Sequence, residues 1–461
     1  MSQQWDALVI GAGPAGMSAA AIMAERGLQV TLVDEQETPG GQIYRGVTRP
    51  QAASRFAEIK DYNAGLALTR RFLASGARYL PNTTVWFVEP GRVLARQGDA
   101  THEILAAKIV IAVGAMERPV PFKGWTLPGV MGVGAAHILQ KMSGITPAGP
   151  LVLAGSGPLL PMAAAHYLKQ GAPVAAILDT TPLTNLLRAA PFFLPALADS
   201  SLLWRGAGYM LTIAHKHVPV YYGVTNLTAE GADHVERVRF VSKGKEHSLD
   251  AQTLLWHNGV IPRTHMAASA DLKHCWDRAQ QCWNTCSDRS GHTSRNGILV
   301  AGDCAGVHGA EASALQGELT GLAIAAELDA LSRRDAKILA WPLRQKLWAK
   351  LAARPFVDAV FRPGAGACAA LDDDVVVCRC ENVTAGEIRK VVAEGVVDVN
   401  EIKLRLRPGM GPCQGRMCGP ALAFVAAAAA GLPVQKVGML RIRPPLRPVP
   451  LATLCNMTKD N

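Results

Sequence analysis

The sequence lacks the features that define several broad classes of protein. It has no apolar run of the roughly 20 residues that a membrane-spanning helix needs; its longest, ALAFVAAAAAGLPV, covers residues 421–434. No basic region with a following apolar core precedes the first strand-like stretch, which begins at Trp5, so a secretory signal is not expected. We therefore expect no transmembrane segment and a cytoplasmic location, either free or peripheral to the inner membrane. The ten cysteines of such a protein should be reduced or metal-bound.

Aromatic residues are few, at 6%, and the net charge of +10 is not gathered into a basic run with interleaved aromatics. This distribution does not favour a nucleic-acid partner. The clearest basic cluster is RIRPPLRPVP at residues 441–450. Its prolines fix an extended backbone, so the segment predicts an arm: a solvated tail, a strap or a contact with a partner protein.

The N-terminal residues predict a dinucleotide-binding β–α–β unit. A short apolar strand leads into G-A-G-P-A-G, followed by a helical stretch that ends at Gly27 and a second apolar strand, QVTLVDE. Gly11 allows the tight turn, Gly13 lets a pyrophosphate approach the backbone, and Gly16 lets the helix pack closely on the strand. The free N–H groups at the helix start favour phosphate, and the acid that closes the second strand can accept from ribose hydroxyls. The predicted nucleotide contacts here are Gly11, Gly13, Pro14, Ala15, Gly16, Asp34 and Glu35.

Three later stretches favour FAD over NAD at this first site. ETPGGQIYR (37–45), KIVIAVGAMERP (108–119) and GILVAGDCAG (297–306) resemble the flavin loop, the crossover strand and the glycine–aspartate motif of flavoproteins with two dinucleotide domains. Val113 stands where those proteins usually have threonine. The resemblance implies that the aspartate contacts the ribityl–phosphate part of FAD. It adds the predicted contacts Gly41, Gln42, Ala112, Gly114, Gly302 and Asp303.

A second strand–glycine–helix–strand unit begins at residue 150. Gly155, Gly157 and Asp179 repeat the first pattern, which predicts an NAD-type domain inserted into the FAD domain. The third glycine position is Leu160, whose side chain obstructs close packing of the helix on the strand. Two alternatives follow: an inherited domain without a ligand, which Leu160 favours, or a working NAD(P) site.

No C-x-x-C pair stands where disulfide reductases of this architecture carry one, so thioredoxin-reductase chemistry is not expected. Cys275, Cys282 and Cys286 match no common zinc spacing, and we predict that they are buried or incidental thiols. Cys304, next to the glycine–aspartate motif, is expected to pack near the flavin without reacting.

Four cysteines near the C-terminus predict a metal centre. Cys378 and Cys380 form C-x-C, and Cys413 and Cys418 form C-x4-C after 32 intervening residues. A T-x-x-E capping box at Thr384 starts a helix after the first pair, and a second helix starts after the second pair. Four thiolates in so small a domain can hold an iron–sulfur cluster or zinc; free thiols are the third alternative. The segment is similar to the bacterioferritin-associated-ferredoxin (BFD) type of 2Fe–2S domain, which favours the cluster.

The whole chain resembles one family, the α (A) subunits of heteromeric opine oxidases and dye-linked dehydrogenases for amino acids such as proline or D-hydroxyproline. The phrases GGQIYR, ERPVPFKGWTLPGVM and CQGRMCG carry the resemblance. It implies a β subunit resembling glycine or sarcosine oxidase that holds the substrate-oxidising flavin. It also implies an FMN between the subunits, a small third subunit, and a quinone or dye as electron acceptor. Some relatives hold ATP in place of FAD at the α nucleotide site.

The predicted fold class is α/β, with two Rossmann-like dinucleotide-binding domains arranged as in glutathione reductase and a small helical BFD-like 2Fe–2S domain. The FAD domain takes residues 1–120 and 287–335, and the inserted NAD(P)-like domain takes residues 121–286. A helical linker (336–370), the 2Fe–2S domain (371–435) and an extended Arg/Pro tail (436–461) follow.

The predicted function is electron transfer in an oxidoreductase that acts on CH–NH donors. A partner subunit oxidises an opine or an imino or amino acid, and this chain carries electrons through FAD and the 2Fe–2S cluster. No residue of this chain is predicted to act as acid, base or nucleophile on substrate. The alternatives are an autonomous NAD(P)H-dependent flavin or ferredoxin reductase, and a non-redox structural subunit that holds ATP.

Overall fold

The computed structural model describes residues 4–49, 60–364 and 370–455. Its strands are, in chain order, β1 (Gln4–Ile10), β2 (Val30–Val33), β3 (Arg78–Leu80), β4 (Thr83–Glu89), β5 (Arg92–Gln97), β6 (Ala100–Ile111), β7 (Ala115–Glu117), β8 (Val130–Gly132), β9 (Leu151–Ser156), β10 (Val174–Asp179), β11 (Val220–Tyr222), β12 (Thr225–Glu230), β13 (Arg237–Ser242), β14 (Lys245–Asp250), β15 (Thr253–Asn258), β16 (Val260–Pro262), β17 (His274–Asp277), β18 (Cys282–Thr285), β19 (Ile298–Val300), β20 (Val376–Cys378) and β21 (Val383–Thr384). Its α-helices are α1 (Pro14–Ala24), α2 (Lys60–Ala74), α3 (Val133–Ser143), α4 (Leu159–Lys169), α5 (Thr184–Ala189), α6 (Phe193–Ala196), α7 (Ser200–His215), α8 (His265–Ser269), α9 (Ala310–Glu327), α10 (Arg333–Ala352), α11 (Arg354–Val360), α12 (Ala385–Ala393), α13 (Val399–Leu406), α14 (Gly419–Ala430), α15 (Val434–Val437) and α16 (Leu451–Cys455).

A mixed sheet forms the body of the first domain. Its strands lie in the order β3-β2-β1-β6-β5-β4, with β19 beside β6. β1 runs parallel to β2 and β6, and Val9 lies opposite Leu32 and Val110. All three side chains are fully buried, as expected for parallel strands that are covered on both faces. Because β19 follows the whole second sheet in the chain, two separate parts of the sequence build this domain.

Helices α1 and α9 cross at close range in this domain. A Cβ on Gly317 of α9 would lie 2.1 Å from the Ala15 carbonyl oxygen, and a Cβ on Gly321 would lie 2.2 Å from the Ile22 side chain. Only the missing side chains let the two backbones approach this closely. The crossing places the start of α1 beside the loop that follows β19.

A second, parallel sheet forms the inserted domain. Its strands lie in the order β11-β10-β9-β15-β8, and the antiparallel strands β12, β13 and β14 form a separate three-stranded sheet. Leu153 of β9 lies between Ile177 of β10 and Leu255 of β15. The two parallel units confirm the predicted α/β class with two Rossmann-like domains.

Helices α12, α13 and α14 form a small C-terminal domain around its own apolar core. The predicted capping box is present at the start of α12, since Thr384 accepts from the Glu387 backbone N–H and the Glu387 carboxylate accepts from the Thr384 backbone N–H. Helix α14 begins directly after Cys418, as predicted, with Pro420 in its first turn and the left-handed residue Gly431 as its C-cap. Helix α13, which Asp398 caps and whose end is the left-handed residue Arg407, was not predicted from the sequence.

The sequence predicts a helical linker and an extended tail at the end of the chain, and the described part of the linker is helical. Helix α10, at the start of the predicted linker, packs on the core of the first domain through Leu339, Ala340, Leu343 and Leu347. Residues 365–369 of that linker lie outside the described residues. Within residues 438–455 the tail has no strand and includes the short helix α16, and residues 456–461 lie outside the described residues.

One expectation is wrong, and one apolar stretch was not predicted. Cys275 and Cys286 form a disulfide with Cα atoms 5.4 Å apart, because the β17–β18 hairpin pairs His274 with Thr285 and so brings the two adjacent cysteines together. The apolar run at residues 421–434 lies mainly in the short helix α14, and a longer apolar helical stretch lies elsewhere. The helical stretch Thr184–His215 is long and apolar enough to cross a membrane by length and composition alone, although only 17% of its apolar window is buried.

Candidate functional site

The first glycine-rich loop combines two packed glycines with one open glycine. Gly11 has φ +108°, and a Cβ there would lie 2.5 Å from the Ala112 carbonyl oxygen. A Cβ on Gly16 would lie 1.8 Å from the Gly11 carbonyl oxygen. A Cβ on Gly13 would meet no heavy atom within 4 Å. The outer glycines therefore serve chain packing, and the middle glycine keeps open space above the start of α1.

A second glycine loop closes over the first. The Gly40 N–H donates to the Ala12 carbonyl oxygen at 2.8 Å. A Cβ on Gly41, which has φ +62°, would lie 2.8 Å from Gly13 Cα. The structure thus brings together glycines that are well separated in sequence, and both loops border the space in front of α1.

Gln42 supplies an unsatisfied polar atom beside these loops. Among the described residues, its side-chain oxygen is buried and has no hydrogen-bond partner. The ammonium of Lys141, on α3, donates to the Ile43 carbonyl oxygen at 2.6 Å and so ties this loop to the inserted domain. Burial lowers the pKa of Lys141 to about 7, with the positive charge of Arg45 as a second cause. Lys141 was not predicted from the sequence, because no motif marks it.

The acids at the end of β2 have different environments. Asp34 accepts from the Ala12 N–H at 2.6 Å and from the Gln36 N–H at 2.7 Å, so its carboxylate braces the first glycine loop. Burial raises the pKa of Asp34 in spite of these two donors. Glu35 instead forms an ion pair with Arg447 of the C-terminal tail.

The glycine–aspartate motif meets the start of α1 from the other side. A Cβ on Gly302 would lie 2.6 Å from Ala15 Cβ. One carboxylate oxygen of Asp303 accepts from the Gly309 N–H at 3.0 Å and the Ser313 hydroxyl at 2.9 Å, so it organises the start of α9. Gly114, after the crossover strand, has φ +69° and open space where a Cβ would stand.

These residues fit a flavin dinucleotide. Gly13 and the free N–H groups at the start of α1 would take the pyrophosphate, and Asp34 and Glu35 lie at the ribose end of the unit. Gln42 offers a buried acceptor that needs a donor. The structure brings the predicted contact residues to one place, and their contacts with FAD stay a prediction.

The four predicted thiol ligands lie together between β20 and the start of α14. Cys378 and Cys418 are buried, Cys413 is partly buried and Cys380 is exposed. The Cys418 thiol hydrogen-bonds to the sulfurs of both Cys378 and Cys413, which lowers the pKa of Cys378 to about 6 and that of Cys413 to about 5. The same two contacts raise the pKa of Cys418 itself. The lowered pKa values favour the thiolate form of Cys378 and Cys413, which is the form that binds metal.

Backbone N–H groups surround these sulfurs. Those of Gly409, Glu381 and Cys380 point to the Cys378 sulfur, and those of Met417 and Gly415 point to the Cys413 sulfur. Hydrogen bonds of this kind tune the potential of an iron–sulfur cluster. Gly411 is needed for the same geometry, because a Cβ there would lie 2.3 Å from Cys380 Cβ.

Donor chemistry favours a cluster over a single ion at this centre. Within the described part of the chain, no three Cys, His, Asp or Glu side chains are arranged to hold one metal ion. The four sulfurs form a chain of contacts instead, in the order Cys378, Cys418, Cys413 and Cys380. An extended set of four thiolates suits a 2Fe–2S cluster, in which two cysteines bind each iron.

Arg416 links the four-cysteine loop to the first domain. Its guanidinium donates to the Cys413 carbonyl oxygen at 3.1 Å and to the Leu446 carbonyl oxygen at 2.9 Å. The Leu446 N–H donates in turn to the Trp86 carbonyl oxygen at 2.9 Å, and Arg447 pairs with Glu35. Residues 441–450 were predicted to be a solvated tail, a strap or a contact with a partner protein. In the structure this segment is a strap between the four-cysteine loop and the first domain. Arg416 was not predicted from the sequence, although it stands inside CQGRMCG.

The second glycine-rich unit is filled at the position that stays open in the first. A Cβ on Gly157 would lie 2.8 Å from the Nε2 atom of His257. The Nδ1 atom of His257 lies 2.7 Å from the Glu117 carboxylate, and the imidazole is 1% exposed. Leu160, at the third glycine position, belongs to the apolar core of this domain.

Comparisons with known proteins agree with this architecture. Residues 5–326 match the pyridine nucleotide-disulphide oxidoreductase family, and residues 376–426 match the BFD-like [2Fe-2S] binding domain. The chain is 38% identical to the A subunit of opine oxidase from Rhizobium meliloti over 99% of both chains. It is 37% identical to the A subunit of opine oxidase from Agrobacterium tumefaciens over 99% of this chain and 92% of that protein. The chain belongs to the family of opine oxidase A subunits.

Other relatives extend the comparison. Hydrogen cyanide synthase subunit HcnB of Pseudomonas aeruginosa is 31% identical over 98% of both chains. The crystal structure of L-proline dehydrogenase from P. horikoshii matches 98% of this chain and 80% of that chain, with a TM-score of 0.69 and 20% identity, so it supports the fold. The predicted class is thereby confirmed: a flavoprotein oxidoreductase fold with a 2Fe–2S binding domain.

Proposed function

We propose that this chain is the electron-transferring subunit of a heteromeric dehydrogenase or oxidase. A partner β subunit resembling glycine or sarcosine oxidase oxidises the CH–NH bond of an opine or of an imino or amino acid, and this chain passes the electrons to a quinone or dye. The observation that carries the proposal is the strap: one segment contacts Arg416 of the four-cysteine loop and, through Arg447, pairs with Glu35 of the flavin-type nucleotide site.

Each group would supply a different part of this chemistry. A flavin exchanges one or two electrons and an iron–sulfur cluster exchanges one, so the pair converts two-electron oxidation into single-electron steps. Gly13 and the start of α1 hold the FAD, and Cys378, Cys380, Cys413 and Cys418 hold the cluster. The N–H groups around Cys378 and Cys413 stabilise the charge on sulfur. An FMN between the subunits and a small third subunit belong to the same proposal.

The names of the relatives support a multi-subunit assembly. The opine oxidase, hydrogen cyanide synthase and sarcosine oxidase relatives are each named as one subunit of an enzyme: the A subunit, HcnB and the alpha subunit, respectively. We therefore assign the substrate pocket to a partner chain and assign no catalytic residue to this one. The protein works in the cytoplasm in this proposal.

The inserted domain argues against an autonomous NAD(P)H-dependent reductase. His257 fills the space above Gly157 that a pyrophosphate would need, and Glu117 holds the imidazole in place. We propose that this domain keeps its fold without binding NAD(P). NADH should then fail to bleach the flavin of the purified chain under anaerobic conditions, and rapid bleaching would support the reductase instead.

The decisive experiment uses the complex of this chain with its partner subunit. Under stopped-flow, the substrate should reduce the partner flavin at an unchanged rate in the Cys378→Ser variant, while steady-state dye reduction falls at least about tenfold. Cys455→Ser, in the tail, is the matched control and should behave as wild type. A Cys378→Ser complex that turns over at the wild-type rate would contradict the relay.

The nucleotide is identified separately. Denaturation of the wild-type chain should release FAD, detected by chromatography and absorbance. If ATP is released and FAD is not, the first site is structural, and the relay is reduced to the cluster.

A further inference from the structure

Helix α10 carries two apolar stripes, of which one is used for folding. Leu339, Leu343 and Leu347 face the core of the first domain. Ile338, Trp341 and Trp348 are 59%, 64% and 72% exposed. Their spacing of three and seven residues places them on one side of the helix, away from the buried leucines. Burial in this fold explains the first stripe and leaves the second unexplained.

Exposed cations accompany the second stripe. Arg334, Lys337 and Arg344 are each three or four residues from Ile338, Trp341 or Trp348, so they flank the aromatic side chains. Within the described residues, none of the three has a carboxylate within 4.0 Å, since the ion pairs of this region are made by Arg205, Lys350 and Arg354. The flanking positive charge is therefore not neutralised within this part of the chain.

A second exposed apolar surface adjoins this helix. The stretch Thr184–His215 exposes large side chains, which are Leu186 (59%), Leu187 (79%), Leu194 (76%), Trp204 (76%) and Leu211 (71%). Lys350 of α10 bonds to Asp199 at 3.3 Å, and the rings of Phe193 and Phe356 lie 5.7 Å apart, so this stretch packs beside α10 and α11.

This stretch is anchored to the protein and does not leave it to cross a bilayer. The Asn185 side-chain amide is buried and donates to the carbonyl oxygens of Val360 and Arg362, at 3.1 and 3.0 Å. Threading the segment through a membrane would break these bonds and the Asp199 contact. Its apolar side chains are available only at the surface.

We propose that these surfaces form a membrane-docking face whose occupant is an anionic phospholipid bilayer. The face is defined by Ile338, Trp341 and Trp348 with Arg334, Lys337 and Arg344, and the exposed leucine-rich stretch packs beside the end of the same helix. Tryptophan prefers the membrane–water interface, and Lys and Arg beside it contact anionic headgroups. The core of a protein–protein interface is instead depleted of lysine and unpaired charge. Docking would bring an electron-transferring chain to lipid-soluble acceptors without a membrane-spanning helix.

The test measures sedimentation of the full-length chain, with any subunit that co-purifies, on two kinds of vesicle. Vesicles of phosphatidylcholine with about one third phosphatidylglycerol should bind the protein in low salt and release it in high salt, and pure phosphatidylcholine should bind it weakly. Trp341→Ser/Trp348→Ser and Lys337→Glu/Arg344→Glu should each weaken binding to the anionic vesicles about tenfold. The matched controls are Leu404→Ser, 75% exposed on α13, and Arg26→Glu/Lys245→Glu, at exposed positions elsewhere.

Both double variants must lose binding for the proposal to stand. Wild-type protein that stays in the supernatant with anionic vesicles overturns it. Loss in the charge variant alone means general electrostatic adsorption, and loss in the tryptophan variant alone means general hydrophobic adsorption; either result also overturns it. If the variants bind vesicles normally but lose a co-purifying subunit, the face is a subunit interface, and the membrane proposal is wrong. Because the readout is binding, none of these results depends on turnover.

Discussion

Gly13 and Gly157 occupy equivalent positions in the two glycine-rich units, but only Gly157 lies under a side chain. A Cβ on Gly157 would be 2.8 Å from His257 Nε2, whereas a Cβ on Gly13 would meet no heavy atom within 4 Å. A pyrophosphate has to contact the backbone at this position. The duplicated motif is therefore open at this position in the first unit and covered by the His257 imidazole in the second.

Substitutions at two glycines of the first loop should separate binding from folding. Gly13→Val should abolish FAD binding and leave the melting temperature of the nucleotide-free protein nearly unchanged, because the new side chain enters open space. Gly16→Ala should destabilise the fold by about 1–3 kcal/mol, because its Cβ would lie 1.8 Å from the Gly11 carbonyl oxygen. Flavin content and thermal unfolding of both variants check this. Retention of FAD by Gly13→Val would mean that the nucleotide lies elsewhere.

Removal of one thiol should empty the cluster site and spare the flavin. Cys413→Ser should lose most iron and acid-labile sulfide, since the cluster needs four thiolates, while the nucleotide stays bound in the first domain. Iron, sulfide and flavin analysis of protein purified without air provides the measurement. Cys282→Ser, at a buried free cysteine of the β18 strand, is the control that should keep its iron. Stoichiometric zinc without sulfide in wild-type protein would refute the cluster.

Thiol titration should find the Cys275–Cys286 disulfide. The chain has ten cysteines, and two of them are joined. Denatured, metal-free protein should therefore show eight reactive thiols without a reductant and ten after reduction. Cys275→Ser/Cys286→Ser should show eight in both conditions. Ten thiols in unreduced wild-type protein would mean that all cysteines are reduced or metal-bound, as the sequence alone predicts.

The ion pairs of His292 with Asp288 and Glu327 should stabilise the fold at mildly acidic pH. Partial burial alone would lower the pKa of His292, but hydrogen bonds to Glu327 and Asp288 raise it above 6.5. Burial would raise the pKa of Glu327, but Lys108 and His292 hold it below 4.5. The stabilisation is therefore full below pH 6.5 while the carboxylates stay ionised, and it is lost as pH rises through the raised pKa of His292.

The matching experiment compares His292→Gln with wild type by thermal unfolding at pH 6 and pH 9. We expect a loss of at most about 1 kcal/mol at pH 6, because the His292 side chain is 39% exposed, and no loss at pH 9. His102→Gln, at an exposed position on β6, should have no effect at either pH. An equal loss at both pH values would show that packing, and not charge, accounts for the His292 effect.

The sequence was sufficient to predict the features that depend on local geometry. Gly11, Gly13 and Gly16 act within a single strand–turn–helix, so their roles follow from spacing and from the backbone conformations that only glycine adopts easily. The capping box at Thr384 follows for the same reason, because its partners are three residues apart. The cysteine pairs are recognisable because thiolate ligands are chemically distinctive.

The sequence by itself therefore determined two glycine-rich units, four clustered thiols and the order of the domains. Only the tertiary structure decided which unit stays open, because His257 reaches Gly157 from a neighbouring strand that no local pattern connects to it. It also decided that Arg447 meets Glu35, that Cys275 bonds to Cys286, and that Trp341 faces outward. These outcomes depend on packing between distant segments, and the energy of such packing is set by the fold as a whole and not by spacing within one element.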